Sequence, residues 1–161
     1  MFTTIAQTLI ETDLHAWVVA QAWLWPVLEI SHFIGLTLLI GGLLIVDLSV
    51  LGFLGRVSLR STYRLLPFVV IGFALNLFTG VLFCFGDPFR YAVNIGFQAK
   101  MVFVLVAGVN ALYHHWRITP QLFGIEGTLT PRTAKISAAL SLFCWAVVLL
   151  LGRLIPYVGT G

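Results

Sequence analysis

Residues 25–55 read WPVLEISHFIGLTLLIGGLLIVDLSVLGFLG. Only Glu29, His32 and Asp47 in that run can carry a charge. A membrane-spanning α-helix needs about 20 mostly apolar residues at about 1.5 Å each. This run is longer, so the helix is expected to tilt or to project from the bilayer. Three more runs qualify, at about residues 65–86, 97–116 and 136–155. The second lies between Arg64 and the turn signal Gly86-Asp87-Pro88. No period-2 barrel pattern appears, and an open strand could not satisfy its backbone groups in lipid. The expected fold class is therefore all-α: one domain over residues 1–161, an integral membrane four-helix bundle.

Composition agrees. Of 161 residues, 60% are hydrophobic and 9% charged, with mean hydropathy +1.02. A soluble domain carries about a quarter charged residues. The shortfall excludes a soluble globular enzyme, a disordered chain and a nucleic-acid-binding domain. The formal charge is +3, but the nine basic residues sit mostly between apolar runs and read as topology signals. Arg56, Arg60, Arg64, Arg117, Arg132 and Lys135 fall in the two loops on one side, opposed there only by Glu126. That side is expected to be cytoplasmic, which puts both termini in the periplasm of a bacterial inner membrane.

Residues 4–20 precede the first span. Ile5, Leu9 and Trp17, with Ile10, Leu14 and Val18, recur at helical spacing, so this segment is expected to be an amphipathic helix. It has no basic n-region and carries Glu11 and Asp13, so it does not read as a cleaved signal peptide. Cys84 and Cys144 lie outside any paired or metal-spaced pattern and read as small core residues. No internal repeat is evident.

Ionisable residues in a span usually face the bundle and mark function or a paired charge. At the outer level stand Glu29 and His32 on the first helix and Lys100 on the third, with Arg90 in a loop and Arg153 ending the fourth. Glu29, His32, Gly35, Leu39 and Gly42 form one stripe. Small residues on the other helices (Gly72, Asn76 and Gly80; Ser137, Ser141, Cys144 and Gly152) allow close approach of a neighbouring helix or of a flat ring. The ordinary reading is a core histidine, a structural Glu29–Lys100 pair and packing glycines. The more specific one is a haem site, since haem takes an axial nitrogen, an apolar slot and cations for its propionates. His32 would be the axial ligand, Gly35 would line the slot, and Arg90, Lys100 and Arg153 would face the propionates.

Asp47, Asn110, His114 and His115 belong to the inner side. Their ordinary reading is interfacial hydrogen bonding to Asp47 or to lipid; a second metal site at His114 is the alternative. His114 lies about 25 Å below the level of His32, so the two cannot share one haem. His15, Met101 and Lys100 all remain candidates for a sixth ligand.

Two stretches resemble a known superfamily. His32-Phe33-Ile34-Gly35 followed by Gly41-Gly42-Leu43-Leu44 is similar to the first helix of CopD-type copper-resistance membrane domains and of HemJ-like protoporphyrinogen oxidases. In those families a lysine opens the third helix, as in Phe97-Gln98-Ala99-Lys100-Met101. The resemblance implies a cytochrome b-like site in which His32, Arg90 and Lys100 match the HemJ-like pattern. That pattern's tryptophan is replaced here, where Gly96 and Phe97 stand. The resemblance spans about residues 25–155.

The expected function is a haem b redox protein, transferring electrons between the quinone pool and a periplasmic partner or oxidising a porphyrinogen. An enzyme and a pure electron carrier are equally compatible with these residues. A CopD-like copper transporter is the alternative, with His15, Glu29 and His32 at its mouth and a periplasmic metal-binding partner. Its methionines are few, only Met1 and Met101. A non-catalytic scaffold subunit, working as a homo-oligomer, is the third reading.

Overall fold

The structure is a computed structural model that describes residues 2–55, 57–124 and 131–157. Met1, Arg56 and Glu126 lie outside the described residues. The chain forms helices α1 (Phe2–Ile10), α2 (Asp13–Ala20), α3 (Leu24–Leu51), α4 (Leu59–Thr62) and α5 (Leu66–Gly86), with a 3₁₀ turn at Tyr63–Leu65. Then come α6 (Pro88–Val93), α7 (Ile95–Tyr113), a π turn at His114–Ile118, α8 (Thr119–Gly124) and α9 (Arg132–Leu154). No strand occurs among the described residues.

Among the described residues, four stretches are long and apolar enough to cross a membrane: Leu24–Leu51, Leu59–Gly86, Ile95–Phe123 and Arg132–Leu154. In the most apolar part of the third, only 11% of residues are buried within the protein. Phe33, Val109 and Leu150 are each at least 64% exposed. Side chains of this kind ring all four helices, which is the surface a lipid solvent requires.

The boundaries have local causes. α3 stops at Leu51, short of the expected Gly55, because Gly52 adopts φ +94° and its N–H caps Ser49. The expected single helix over 4–20 is divided in two. Thr12 accepts from the His15 amide at 3.2 Å and so starts α2 afresh. Asp87 and Asn94 cap α6 and α7 in the same way, accepting from the amides of Arg90 and Phe97. The third span continues past Tyr113 through the π turn, where the Thr119 hydroxyl bonds the His114 carbonyl at 3.1 Å.

α3 is the hub. It packs along α5 and against α9, and α9 in turn packs on α7. The α3–α5 contact follows one antiparallel register. His32 meets Thr79, Gly35 meets Asn76, Leu39 meets Gly72 and Gly42 meets Val69. A Cβ on Gly72 would lie 2.6 Å from the Gly35 carbonyl oxygen and 2.7 Å from the Leu39 nitrogen. On α9 the buried face is Ala134, Ser137, Ala138, Ser141, Cys144 and Val148, a small-residue stripe that admits α7 and α3 closely. α5 and α7 barely touch, so the bundle keeps a gap between them.

At one end, α1 lies on α6 and α2 lies on α5. There Val18 packs with Leu24, Leu28, Leu82 and Phe83, and His15 Nδ1 donates to the Phe85 carbonyl at 2.6 Å. At the other end Val50, Ile118, Ala134 and Ala138 form a second apolar core.

Replacing Gly72 by alanine drives a methyl into backbone, and is expected to destabilise the fold by about 1–3 kcal/mol. Gly41 faces open space, so Gly41→Ala is expected to be neutral or to stabilise by up to about 1 kcal/mol. Thermal unfolding of both variants in one detergent checks the contrast; equal shifts would contradict the packing described.

Candidate functional site

His32 projects from α3 toward α5, and its Nδ1 lies 2.7 Å from Thr79 Oγ1. The Thr79 hydroxyl has a single hydrogen, which it gives to the Leu75 carbonyl at 2.8 Å. Its oxygen therefore accepts, and His32 Nδ1–H is the donor. That assigns the tautomer: Nε2 keeps its lone pair, and no described residue is hydrogen-bonded to it. An imidazole whose second nitrogen is held by an acceptor has the orientation typical of a metal-ligating histidine. Thr79 is 1% exposed, so water does not compete for this bond.

The His32 ring lines a cavity of about 640 Å³. This is within the common range for small-molecule and cofactor sites, about 300–1,000 Å³. The walls are mostly apolar, from Leu36, Leu39, Leu77, Val104 and Val148. The Phe73 and Trp145 rings meet at 6.3 Å and close the side toward the membrane interior. Phe83 stands edge-on to the imidazole, 5.5 Å between centroids.

Glu29, Arg90, Lys100 and Arg153 line the same cavity. The expected Glu29–Lys100 pair does not form; Glu29 accepts instead from Trp25 Nε1 at 3.1 Å. Lys100 runs alongside Gly152 of α9, with its amine about one van der Waals contact from where a Cβ would stand. Arg153 rests on Tyr157, 5.3 Å above its ring, with Nη2 at 3.4 Å from the hydroxyl. Among the described residues Arg90, Lys100 and Arg153 have no acidic partner within ion-pair distance. Three cations thus face one carboxylate, and an amphipathic anion suits the space. Tyr91, on α6 outside the spans, also lines it; burial pushes its phenol up to about 12, so it stays a neutral donor.

Gly35 is placed at the crossing of α3 with α5, against Gly72 and Asn76, and is not part of the cavity wall. Lys100 and Met101 line the cavity, whereas His15 does not. His15, Glu29 and His32 do not converge: among the described residues no three His, Cys, Asp or Glu side chains form a metal-sized group.

His114 is in a different place, level with Tyr63 at the far end. Tyr63 O–H donates to His114 Nε2 at 2.6 Å, and His114 Nδ1–H donates to Ser137 Oγ at 3.0 Å. Ser137 passes its hydrogen to Asn110 Oδ1, and Asn110 Nδ2 donates to the Ser137 carbonyl. Both imidazole nitrogens are therefore committed to protein partners. His115 is exposed. Asp47 is 4% exposed and sits beside Ser141 rather than His114.

Two positioning residues were missing from the sequence reading. Thr79 continues the Gly72–Asn76 face, and a hydroxyl one residue before Gly80 in a span was the available signal. Asn94 caps α7 with Oδ1 and bonds the Ile155 carbonyl with Nδ2 at 2.8 Å, fixing Lys100 relative to the end of α9. Its signal was an Asn between a Pro-started turn and an apolar run.

Comparison with family models, curated proteins and solved structures gave no match to this chain.

Thr79→Val removes the acceptor for a buried N–H and is expected to cost about 1–3 kcal/mol. Nitrogen NMR of labelled histidine should then lose the Nδ1–H tautomer at His32, while Thr79→Ser keeps it. An unchanged His32 signal in the valine variant would refute the assignment.

Proposed function

We propose that the protein is a haem b-binding redox protein of a bacterial inner membrane, exchanging single electrons between the quinone pool and a periplasmic partner. The observation that carries the reading is the His32 imidazole, tied through Nδ1–H to Thr79 and lining an apolar cavity ringed by three cations. The resemblance of the His32–Leu44 stretch and of Lys100 to CopD- and HemJ-like first and third helices points the same way. So does the arginine and lysine bias, which puts the cavity end outward.

The residues fit the group. His32 Nε2 would hold the iron, and the hydrogen bond from Nδ1–H to Thr79 raises the basicity of the ring and fixes its orientation. Arg90, Lys100 and Arg153 line the same cavity and would hold the two carboxylates, with Phe73 and Trp145 shielding the apolar part from water. A haem bound here supplies reversible one-electron exchange at iron. Three cations so placed would favour the reduced, less positively charged form and so raise the potential. Porphyrinogen oxidation would use the same residues.

The test is an absorption spectrum of the detergent-purified protein, oxidised and dithionite-reduced, after haem-supplemented expression, with metal content measured on the same sample. A Soret band is expected, lost in His32→Ala. Gly80 lines the cavity and has no atom near its Cβ position, so Gly80→Phe should fill the space and abolish the band without unfolding the bundle. Lys100→Met should keep the band and lower the midpoint potential. Stoichiometric copper with no Soret band, or a wild-type spectrum in His32→Ala, overturns the reading.

A further inference from the structure

At the end opposite the cavity, Arg60, Tyr63, Arg64 and Phe123 line a shallow, open pocket of about 480 Å³. Arg60 and Arg64 are one helical turn apart, on α4 and the 3₁₀ turn that follows it. Neither has an acidic partner among the described residues. Arg60 lies 5.8 Å above the Phe123 ring, and that ring meets Tyr63 edge-on at 5.0 Å. The Tyr63 hydroxyl is anchored on His114, so the aromatic wall is fixed and the guanidinium is pre-oriented on it.

Depth says what such a pocket meets. The spans Leu59–Gly86 and Ile95–Phe123 are 28 and 29 residues long. At 1.5 Å per residue they reach about 42 Å, against a hydrocarbon core of about 30 Å. Their ends, with Arg60 on the first turn and Phe123 as the last residue, therefore lie among lipid headgroups, and the long side chain of Arg64, on the second turn, reaches the same level. One turn deeper on the face of Arg64, Phe68 is 53% exposed and offers an apolar track for an acyl chain.

We infer that this pocket is a binding site for the phosphate of an anionic phospholipid. Two arginines line this pocket, and a guanidinium matches phosphate oxygens better than an ammonium group does. Basic pockets between spanning helices at the headgroup level are suited to such lipids. The site shares no residue with the His32 cavity and does not depend on the haem reading.

The experiment is native mass spectrometry of the purified protein exchanged into micelles containing phosphatidylglycerol or phosphatidylcholine. Retention of phosphatidylglycerol alone is expected. The double variant Arg60→Gln/Arg64→Gln should bind it roughly 30-fold more weakly, while Arg60→Lys/Arg64→Lys, which keeps the charge and guards against misfolding, should recover part of that loss. Equal retention of phosphatidylcholine, full binding by the glutamine variant, or displacement by millimolar inorganic phosphate would each overturn the assignment, the last in favour of a free phosphate ligand.

Discussion

The structure depends on how closely two backbones approach. α3 and α5 meet where Gly35 and Gly72 lack side chains, and no Cβ fits on Gly72 without moving backbone. From that contact the register is inherited in both directions. Steps of three, four and three along α3 from His32 to Gly42 are matched by the same steps backward along α5 from Thr79 to Val69. In lipid there is no hydrophobic drive to press helices together, so van der Waals fit and interhelical hydrogen bonds carry the association. The glycine contact brings His32 within 2.7 Å of Thr79. The same bond that joins the helices then leaves one imidazole nitrogen with its lone pair.

The two histidines inside the bundle show opposite uses of one side chain. His114 spends both nitrogens, on Tyr63 and Ser137, and its neighbours Ser137 and Asn110 complete each other. A closed network of that kind holds α7, α9 and the start of the second span together. His32 spends one. Between them lies a separation of sixteen positions on the second span, Tyr63 to Thr79, or about 24 Å. The bundle thus has a structural polar centre at one end and a chemically open one at the other.

Much of this was legible from residue type and spacing. The four spans follow from run length and the missing charge, and the level of His32, Lys100 and Arg153 follows from counting along them. Gly72 and Asn76 are readable as a close-approach face, whereas Gly80, grouped with them by spacing, opens onto the cavity instead. What was not readable is which stripe faces which. Glu29 and Lys100 are opposite charges at one depth, yet Glu29 turns to Trp25 on its own helix. Gly35 shares the stripe of His32 and by spacing belongs to a ligand slot, but its face is taken by α5. The break at Thr12 depends on a single capping hydroxyl that a hydrophobic pattern does not register.

By itself the sequence determined that the chain is helical and sized for a bilayer, because backbone groups in lipid must be satisfied within each segment and apolar run length is a local property. Only the tertiary structure decided that α5 and α7 stay apart, that α3 is the shared neighbour, and that His32 is half bonded while His114 is fully bonded. Those outcomes depend on helix rotation and crossing, which arise from side chains of different segments fitting together, and no single segment contains that information.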